Sequence, residues 1–319
     1  MRAYKILLIF VALVAVALSL MNASWIAAKP TGPLVLIAHR GIAQAFDRAA
    51  AAGGCSARHI SAARHRFIEN TLFSMQNAIA QGARGLALDV RASADGRAMV
   101  FRDADLSCRT NGTGRLAERP FSYLRGLDIG HGYTADGGRT WPLRGRGVGG
   151  MPTAEEVLRG FPATTLLFTL SGPRDAEALV AAFARAGLPV AGRHGFAGPP
   201  AALARLRQLT RAGWLLDQRA SEACLDGYRA WGWLGLVPDS CRGTTISVPR
   251  RGEWTLWGWP YRFLGRMAGG GARLFIAGDA AEGELVGLER PEQLAEVPRA
   301  YRGLLLIEDM HDVGRALER

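Results

Sequence analysis

The most continuous apolar run lies near the start of the chain, where residues 6–21 read ILLIFVALVAVALSLM, preceded by Arg2 and Lys5 and followed by Asn22, Ala23, Ser24 and Trp25. It is longer than the usual apolar core of a secretory signal, and Trp25 and Ile26 fall where a cleavage site needs small residues. The pattern predicts an uncleaved anchor within residues 1–28, with a cleaved signal peptide as the alternative. Positive charge ahead of the run places the N-terminus in the cytoplasm and the body on the far side, with Trp25 at the interface. In a Gram-negative bacterium that compartment is the periplasm.

Beyond the linker 30–33, short apolar runs alternate with helical periodicity. Residues 34–38 form a continuous apolar run of the kind that fills a buried parallel strand. Over 71–83, Leu72, Met75, Ile79 and Ala83 recur on one helical face, with Asn70 or Thr71 as the cap. Residues 85–90 and 98–101 are further strands, with Ala94, Asp95 and Gly96 forming a turn between them. A Gly- and Arg-rich stretch, 103–150, has weak periodicity and predicts an elaborated loop. Thr153 and Glu156 stand in capping-box spacing at the start of a helix. Strands follow at 165–170, 188–191, 213–216, 244–248, 272–277 and 304–307, and helices at 175–186, 201–212 and 221–231. That makes nine strands for the eight places of a barrel, so one of the later ones is wrong or lies outside it. Such alternation predicts a parallel α/β fold, either a (β/α)8 barrel or a doubly wound sheet. No G-x-G-x-x-G follows the first strand, which counts against a dinucleotide-binding sheet.

Composition narrows the setting. With 49% hydrophobic and 21% charged residues in a chain of 319, there is material for one large core. The net charge of +11 comes almost wholly from scattered arginines, since Lys5 and Lys29 are the only lysines. Scatter without a basic block offers no nucleic-acid motif. Cys55, Cys108, Cys224 and Cys241, in an oxidising compartment, predict two disulfides. Of the three possible pairings, Cys55 with Cys108 and Cys224 with Cys241 is favoured because each ties a loop insertion to nearby chain. No C-x-x-C spacing supports zinc.

The candidate chemistry begins where the first strand ends, in His39, Arg40 and Gly41. A histidine exchanges protons near neutral pH, and an arginine holds phosphate oxygens bidentately. In order along the chain come LIAHRG, then E-N-T at 69–71 opening a helix, GLALDV, a D-G turn, FRD, TNGTG at 110–114, LDIG at 127–130 and MPTAEEVL at 151–158. In these motifs, over roughly 34–171, the sequence resembles the glycerophosphodiester phosphodiesterase family. The resemblance implies a (β/α)8 TIM barrel over 29–319, with 103–150 as an insert. It also implies a calcium or magnesium ion, and cleavage of glycerophosphodiesters to glycerol 3-phosphate and an alcohol. It assigns His39 to catalysis, Arg40 to phosphate binding, and Glu69 and Asp89 to the metal.

Several positions depart from the family. The glutamate of its metal-binding E-x-D pair is Ala87. Its second histidine is Arg102, followed by Asp103. Thr169 and Ser171 replace an acidic or polar residue and a lysine on the fourth strand. Hard divalent cations take several oxygen ligands, and Ala87 offers none. A guanidinium stays protonated and cannot replace a histidine as acid or base, although Arg102 can neutralise a phosphate. The expectation is therefore a barrel impaired in catalysis that still binds a phosphoester, working with a weakly held cation or none. An active phosphoric diester hydrolase with a rearranged site and a non-catalytic interaction protein are the alternatives; the sequence identifies no protein partner. His59, His65 and His131 read as solvated loop residues. Glu308, Asp309 and Asp312 around His311 read as helix-start carboxylates near the chain end. Trp254, Trp257, Trp259, Tyr261 and Phe263 read as a barrel-wall helix.

Overall fold

The computed structural model describes residues 2–51, 54–211, 213–250, 255–278, 285–314 and 316. In chain order the elements are helix α1 (Arg2–Asn22), strand β1 (Leu34–His39), α2 (Leu72–Ala80), β2 (Gly85–Ala92), β3 (Ala98–Val100), α3 (Phe121–Arg125), α4 (Ala154–Gly160), β4 (Thr165–Leu170), α5 (Pro173–Ala186), β5 (Gly195–Ala197), α6 (Pro200–Leu209), β6 (Trp214–Leu216), α7 (Gln218–Trp231), β7 (Thr245–Ser247), α8 (Tyr261–Gly269), β8 (Arg273–Ile276) and β9 (Gly303–Ile307). The fold class is the (β/α)8 barrel. The chain divides into two compact units.

The larger unit comprises Val35–Leu215, Ala277–Pro291 and Leu305–Arg319. Its strands lie in the order β6-β5-β4-β2-β1-β9. β1, β2, β4 and β5 run parallel, with Ile37 opposite Gly85, Leu86 opposite Leu166 and Leu167 opposite Gly195. Ile37, Leu86, Leu88, Leu166, Phe168 and Phe196 are completely buried, as strands covered on both faces require. Helix starts follow the sequence. The Thr71 hydroxyl accepts the Ser74 N–H at 3.1 Å, and Thr153 and Glu156 form a reciprocal capping box.

The ninth strand is β3, which pairs antiparallel with β2 around a turn where Gly96 holds φ +74°. The surplus element is thus an early one. A late one is also misplaced, for residues 188–191 form no strand and the strand lies at Gly195–Ala197. Gly187, at φ +71°, ends α5 in the left-handed conformation, and the Leu188 N–H bonds back to the Phe183 carbonyl at 3.0 Å. Pro189 brings no N–H, so this apolar tetrapeptide closes a helix instead of opening a strand.

The insert 103–150 has a core of its own. Leu106, Leu116, Leu124, Leu127, Ile129 and Tyr133 pack with Ala57, Ile60, Ile68 and Phe101. The disulfide Cys55–Cys108 joins the two loops that build it.

The smaller unit comprises Met1–Leu34, Leu216–Ile276 and Glu292–Leu304. β7 and β8 pair in parallel, and Cys224–Cys241 closes the second disulfide. Phe263, Leu264 and Met267 form the buried face of α8. Trp259 packs on Phe263, while Trp257 stays 40% exposed; Trp254 lies outside the described residues. Helix α1 is apolar and long enough to cross a membrane, and none of its apolar stretch is buried. Its end is fastened. Arg266 donates to the Met21 carbonyl and to Asn22 Oδ1, both at 3.0 Å, and Asn22 Nδ2 donates to the Trp233 carbonyl at 2.8 Å.

Candidate functional site

The end of β1 turns sharply. Arg40 holds φ 60°, and Asn70, in the loop before α2, holds φ 58°. Both are left-handed, a conformation that L residues other than glycine adopt at a cost and that clusters at functional sites. The two turns hold each other: the Arg40 N–H donates to the Ala87 carbonyl at 2.6 Å, and its carbonyl accepts the Asn70 N–H at 2.8 Å. Gly41, at φ +79°, lies against the start of α2, where a Cβ would come within 2.8 Å of the Met75 nitrogen. Only glycine fits between strand and helix there.

These turns bring His39, Arg40, Glu69 and Asp89 together with a residue at the far end of the chain. His39 Nδ1 lies 2.7 Å from Glu308 Oε2, just past β9. Arg40 Nη2 donates to Glu308 Oε1, and the Gly287 N–H donates to Oε2 at 2.9 Å. Arg40 Nη1 lies 3.3 Å from Glu69 Oε2, and Arg40 Nε lies 3.9 Å from Asp89 Oδ2. Asn70 Nδ2 donates to Asp89 at 3.3 Å. Beyond Glu69 stands a second buried cation: Arg109 Nη2 is 3.1 Å from Glu69 Oε1, and Arg109 Nε is 2.8 Å from Asp103 Oδ2.

Burial alone raises a carboxyl pKa, but the guanidinium ions reverse it here. Burial works against the Glu308 carboxylate, yet Arg40, His39 and the Gly287 N–H hold its pKa well below the usual range. Glu69 is likewise buried and lowered, by Arg109, Arg40 and Arg102. Burial disfavours the charged Arg109, but Glu69, Tyr133 and Asp103 raise its pKa further. His39 Nε2 is buried and has no hydrogen-bond partner among the described residues. An imidazole oriented through Nδ1 by a carboxylate presents Nε2 for proton exchange with a ligand.

Arg102 is half-buried, and its Nη1 donates to Ser56 Oγ at 3.2 Å. The same hydroxyl accepts from Arg109 at 2.7 Å. Ala87 is fully buried in β2, opposite His39. Thr169 stands opposite Asp89, its hydroxyl without a hydrogen-bond partner among the described residues, and Ser171 is exposed, its N–H donating to Asp175 at 2.8 Å. Two members of this constellation escape the sequence reading. Glu308 looks like one of several chain-end carboxylates; the apolar run ending at Ile307, a strand that delivers the next residue to the same end as His39, is the signal. Arg109 carries none, being one of many arginines in an aperiodic loop.

The family model of the glycerophosphoryl diester phosphodiesterase family matches residues 44–170. Over that stretch the chain is similar to this family. Uncharacterized protein Rv2277c of Mycobacterium tuberculosis is 32% identical over 119 residues, which are 37% of this chain and 39% of that relative. The chain therefore spans well under half of that relative's length. A glycerophosphodiester phosphodiesterase of Bacillus altitudinis is 36% identical over 76 residues, covering 24% of this chain and 31% of the relative. Among solved structures, the glycerophosphoryl diester phosphodiesterase domain of Rv2277c superimposes with a TM-score of 0.63 at 18% identity, over 90% of this chain and all of that one. An Oleispira antarctica phosphodiesterase in complex with the product sn-glycerol-3-phosphate gives 0.54 at 17% identity, over 91% of this chain and 98% of that one. At these identities the likeness concerns the fold.

Members of the glycerophosphoryl diester phosphodiesterase family generally use a divalent cation. The donors here do not suit one. Glu69 is engaged by two guanidinium groups and Asp103 by one, while Ala87 supplies no oxygen. Among the described residues no three His, Cys, Asp or Glu side chains cluster as a metal-binding group. A hard dication needs carboxylates free to turn toward it, and neighbouring guanidinium charges repel it.

Proposed function

We propose that this chain is a membrane-tethered, extracytoplasmic phosphoester-binding barrel with weak or no hydrolytic activity. The observation that carries this is the pairing of one oriented imidazole, His39, with arginine where a second is needed. A phosphodiester substrate needs a base at the attacking oxygen and an acid at the leaving one. His39 Nε2 serves one of these steps, while Arg102 serves neither, because it stays protonated at every relevant pH. A positioned acid–base group contributes roughly 10²–10⁴-fold, and that factor is lost. Arg40 and Arg102 remain to neutralise phosphate oxygens, and the Oleispira complex with sn-glycerol-3-phosphate names the ligand class. In this reading Glu69 and Asp89 are arginine partners and not metal ligands.

A second reading is favoured by the bond from His39 to Glu308, 2.7 Å long and buried: slow hydrolysis with His39 as the sole acid–base group. Full-length chain purified in detergent distinguishes the two. Its release of glycerol 3-phosphate from glycerophosphodiesters is measured with EDTA, calcium or magnesium, beside binding of sn-glycerol 3-phosphate by calorimetry. Binding without turnover is the expected result. Turnover that His39→Ala abolishes establishes the second reading.

For location, the support is α1 with its unburied apolar stretch, the two disulfides, and the fastening of Met21 and Asn22 to Arg266. Trp25, Trp231, Trp233, Leu236 and Trp257 are exposed in the same unit, the residue types that settle at a bilayer surface. Flotation of the full chain with liposomes, and resistance of that association to alkaline extraction, test the anchor.

A further inference from the structure

We infer that Arg109 is a built-in cation that does the charge-balancing work of a divalent ion, so that the site takes its phosphoester without metal. This rests on the phosphoester-binding reading above. Arg109 comes from the insert and reaches the carboxylates of the barrel end. It lies between Glu69 Oε1 at 3.1 Å and Asp103 Oδ2 at 2.8 Å, and it donates to Ser56 Oγ at 2.7 Å and to Tyr133 Oη at 3.3 Å. The residue is 2% exposed. A guanidinium so enclosed keeps its charge, and its partners are two carboxylates and two neutral hydroxyls.

The covalent framework explains how a loop residue is held in so exact a place. Cys108 precedes Arg109 and Cys55 precedes Ser56, and the two cysteines are bonded to each other. The disulfide therefore joins the residues flanking donor and acceptor of the Arg109–Ser56 hydrogen bond. Ser56 also accepts from Arg102, so the same bridge sets the spacing of both guanidinium groups. Arg40 also contacts Glu69, its Nη1 3.3 Å from Oε2, so that carboxylate is shared by two buried cations. An entering divalent ion has to displace one guanidinium from Glu69 and leave it buried beside a dication. Arg109 touches no ligand in this arrangement. It is a positioning residue that cancels the Glu69 and Asp103 charge which otherwise repels a phosphate.

The test uses full-length chain in detergent, stripped with EDTA, and two calorimetric titrations. In the first, calcium chloride is added with and without sn-glycerol 3-phosphate. The wild type is expected to bind no calcium in either case. Calcium binding that Glu69→Gln abolishes overturns the proposal, and this arm decides whether or not any Arg109 variant folds. In the second, sn-glycerol 3-phosphate is titrated into wild type, Arg109→Lys and Arg109→Ala in EDTA. The expected order of affinity is wild type, Lys, Ala, with about a tenfold or greater loss for Ala, because Glu69 and Asp103 then turn uncancelled charge toward the phosphate, and calcium restores part of the Ala loss. A folded Arg109→Ala with unchanged affinity also overturns the proposal. Absence of sn-glycerol 3-phosphate binding in every protein sinks the phosphoester reading instead, while the calcium titration still decides on the cation.

Discussion

His39 Nδ1 and Glu308 Oε2 lie 2.7 Å apart, joined by a buried hydrogen bond that spans 269 residues of sequence. The same carboxylate holds Arg40 and the Gly287 N–H, so one group at the end of β9 fixes both His39 and Arg40 at the end of β1. Glu308→Gln removes the charge while keeping the shape, leaving the Arg40 guanidinium with one buried anion fewer. Breaking a buried ion pair from one side costs about 3–5 kcal/mol. A loss of that order is expected in denaturant unfolding, together with weaker sn-glycerol 3-phosphate binding.

The same pair sets the acid limb of stability. The Glu308 pKa is held well below its ordinary value, so its contribution is complete above the usual carboxylate range. It is lost only as pH falls below that range toward the folded-state pKa. Wild type therefore loses this stability on acidification, whereas Glu308→Gln starts lower at neutral pH and shows a flatter acid limb. Parallel profiles for the two proteins would remove Glu308 from the account.

His194 produces a second pH effect, at milder acidity. Its ring lies beside Phe183 and Phe168, with centroids 5.4 and 6.5 Å away. Burial first, and Arg193 second, lower its pKa to about 4. The unfolded chain binds this proton near pH 6.5 and the folded one does not, so stability falls as pH drops from about 6.5 to about 4. At about 1.4 kcal/mol per unit, the loss is roughly 3 kcal/mol at most. His194→Gln should remove this step, read as melting temperature against pH, and leave the Glu308 step below it in place.

The barrel class and one side of the site are legible in the sequence because they rest on local signals. Apolar runs mark β1, β2 and β4; Thr71 and Thr153 announce their helices; H-R-G and E-N-T stand at strand and helix ends. Elements that depend on distant chain are not legible in the same way. β5 is short, and the apolar tetrapeptide before it, which Pro189 turns into a helix stop, carries the stronger strand signal. Glu308 becomes meaningful only when β9 lies beside β1. Arg109 becomes meaningful only when the Cys55–Cys108 bridge carries the insert over Glu69. Ala87 and Arg102 are plain in the sequence, but carboxylates held by arginine, Glu69 by Arg40 and Arg109 and Asp103 by Arg109, are visible only in three dimensions.

The Cys55–Cys108 bridge closes 53 residues of chain. On the chain-entropy account such a loop contributes about 4 kcal/mol. Cys55→Ser with Cys108→Ser is expected to lower stability by up to that amount. It is also expected to weaken sn-glycerol 3-phosphate binding more than Cys224→Ser with Cys241→Ser does, because only the first bridge adjoins Ser56 and Arg109. Equal effects of the two pairs on binding would count against a positioning role for the first bridge.

Arg102→His tests whether the missing imidazole limits catalysis. Position 102 lies two residues past β3 and is half-buried, with its side chain donating to Ser56 and lying over the Phe46 ring, and a histidine there gives up the hydrogen bond to that hydroxyl. Arg109 keeps its own contacts to Glu69 and Asp103, so the charge balance beside the ligand is retained apart from the single charge removed. If proton transfer is what the wild type lacks, restoring a second acid–base group raises glycerol 3-phosphate release by roughly 10²–10⁴-fold over the wild-type rate. The gain should vanish in Arg102→His with His39→Ala, since the two steps need both rings. A folded Arg102→His protein that binds sn-glycerol 3-phosphate without gaining turnover would mean that chemistry fails elsewhere, with fully buried Ala87 on β2 the next position to change.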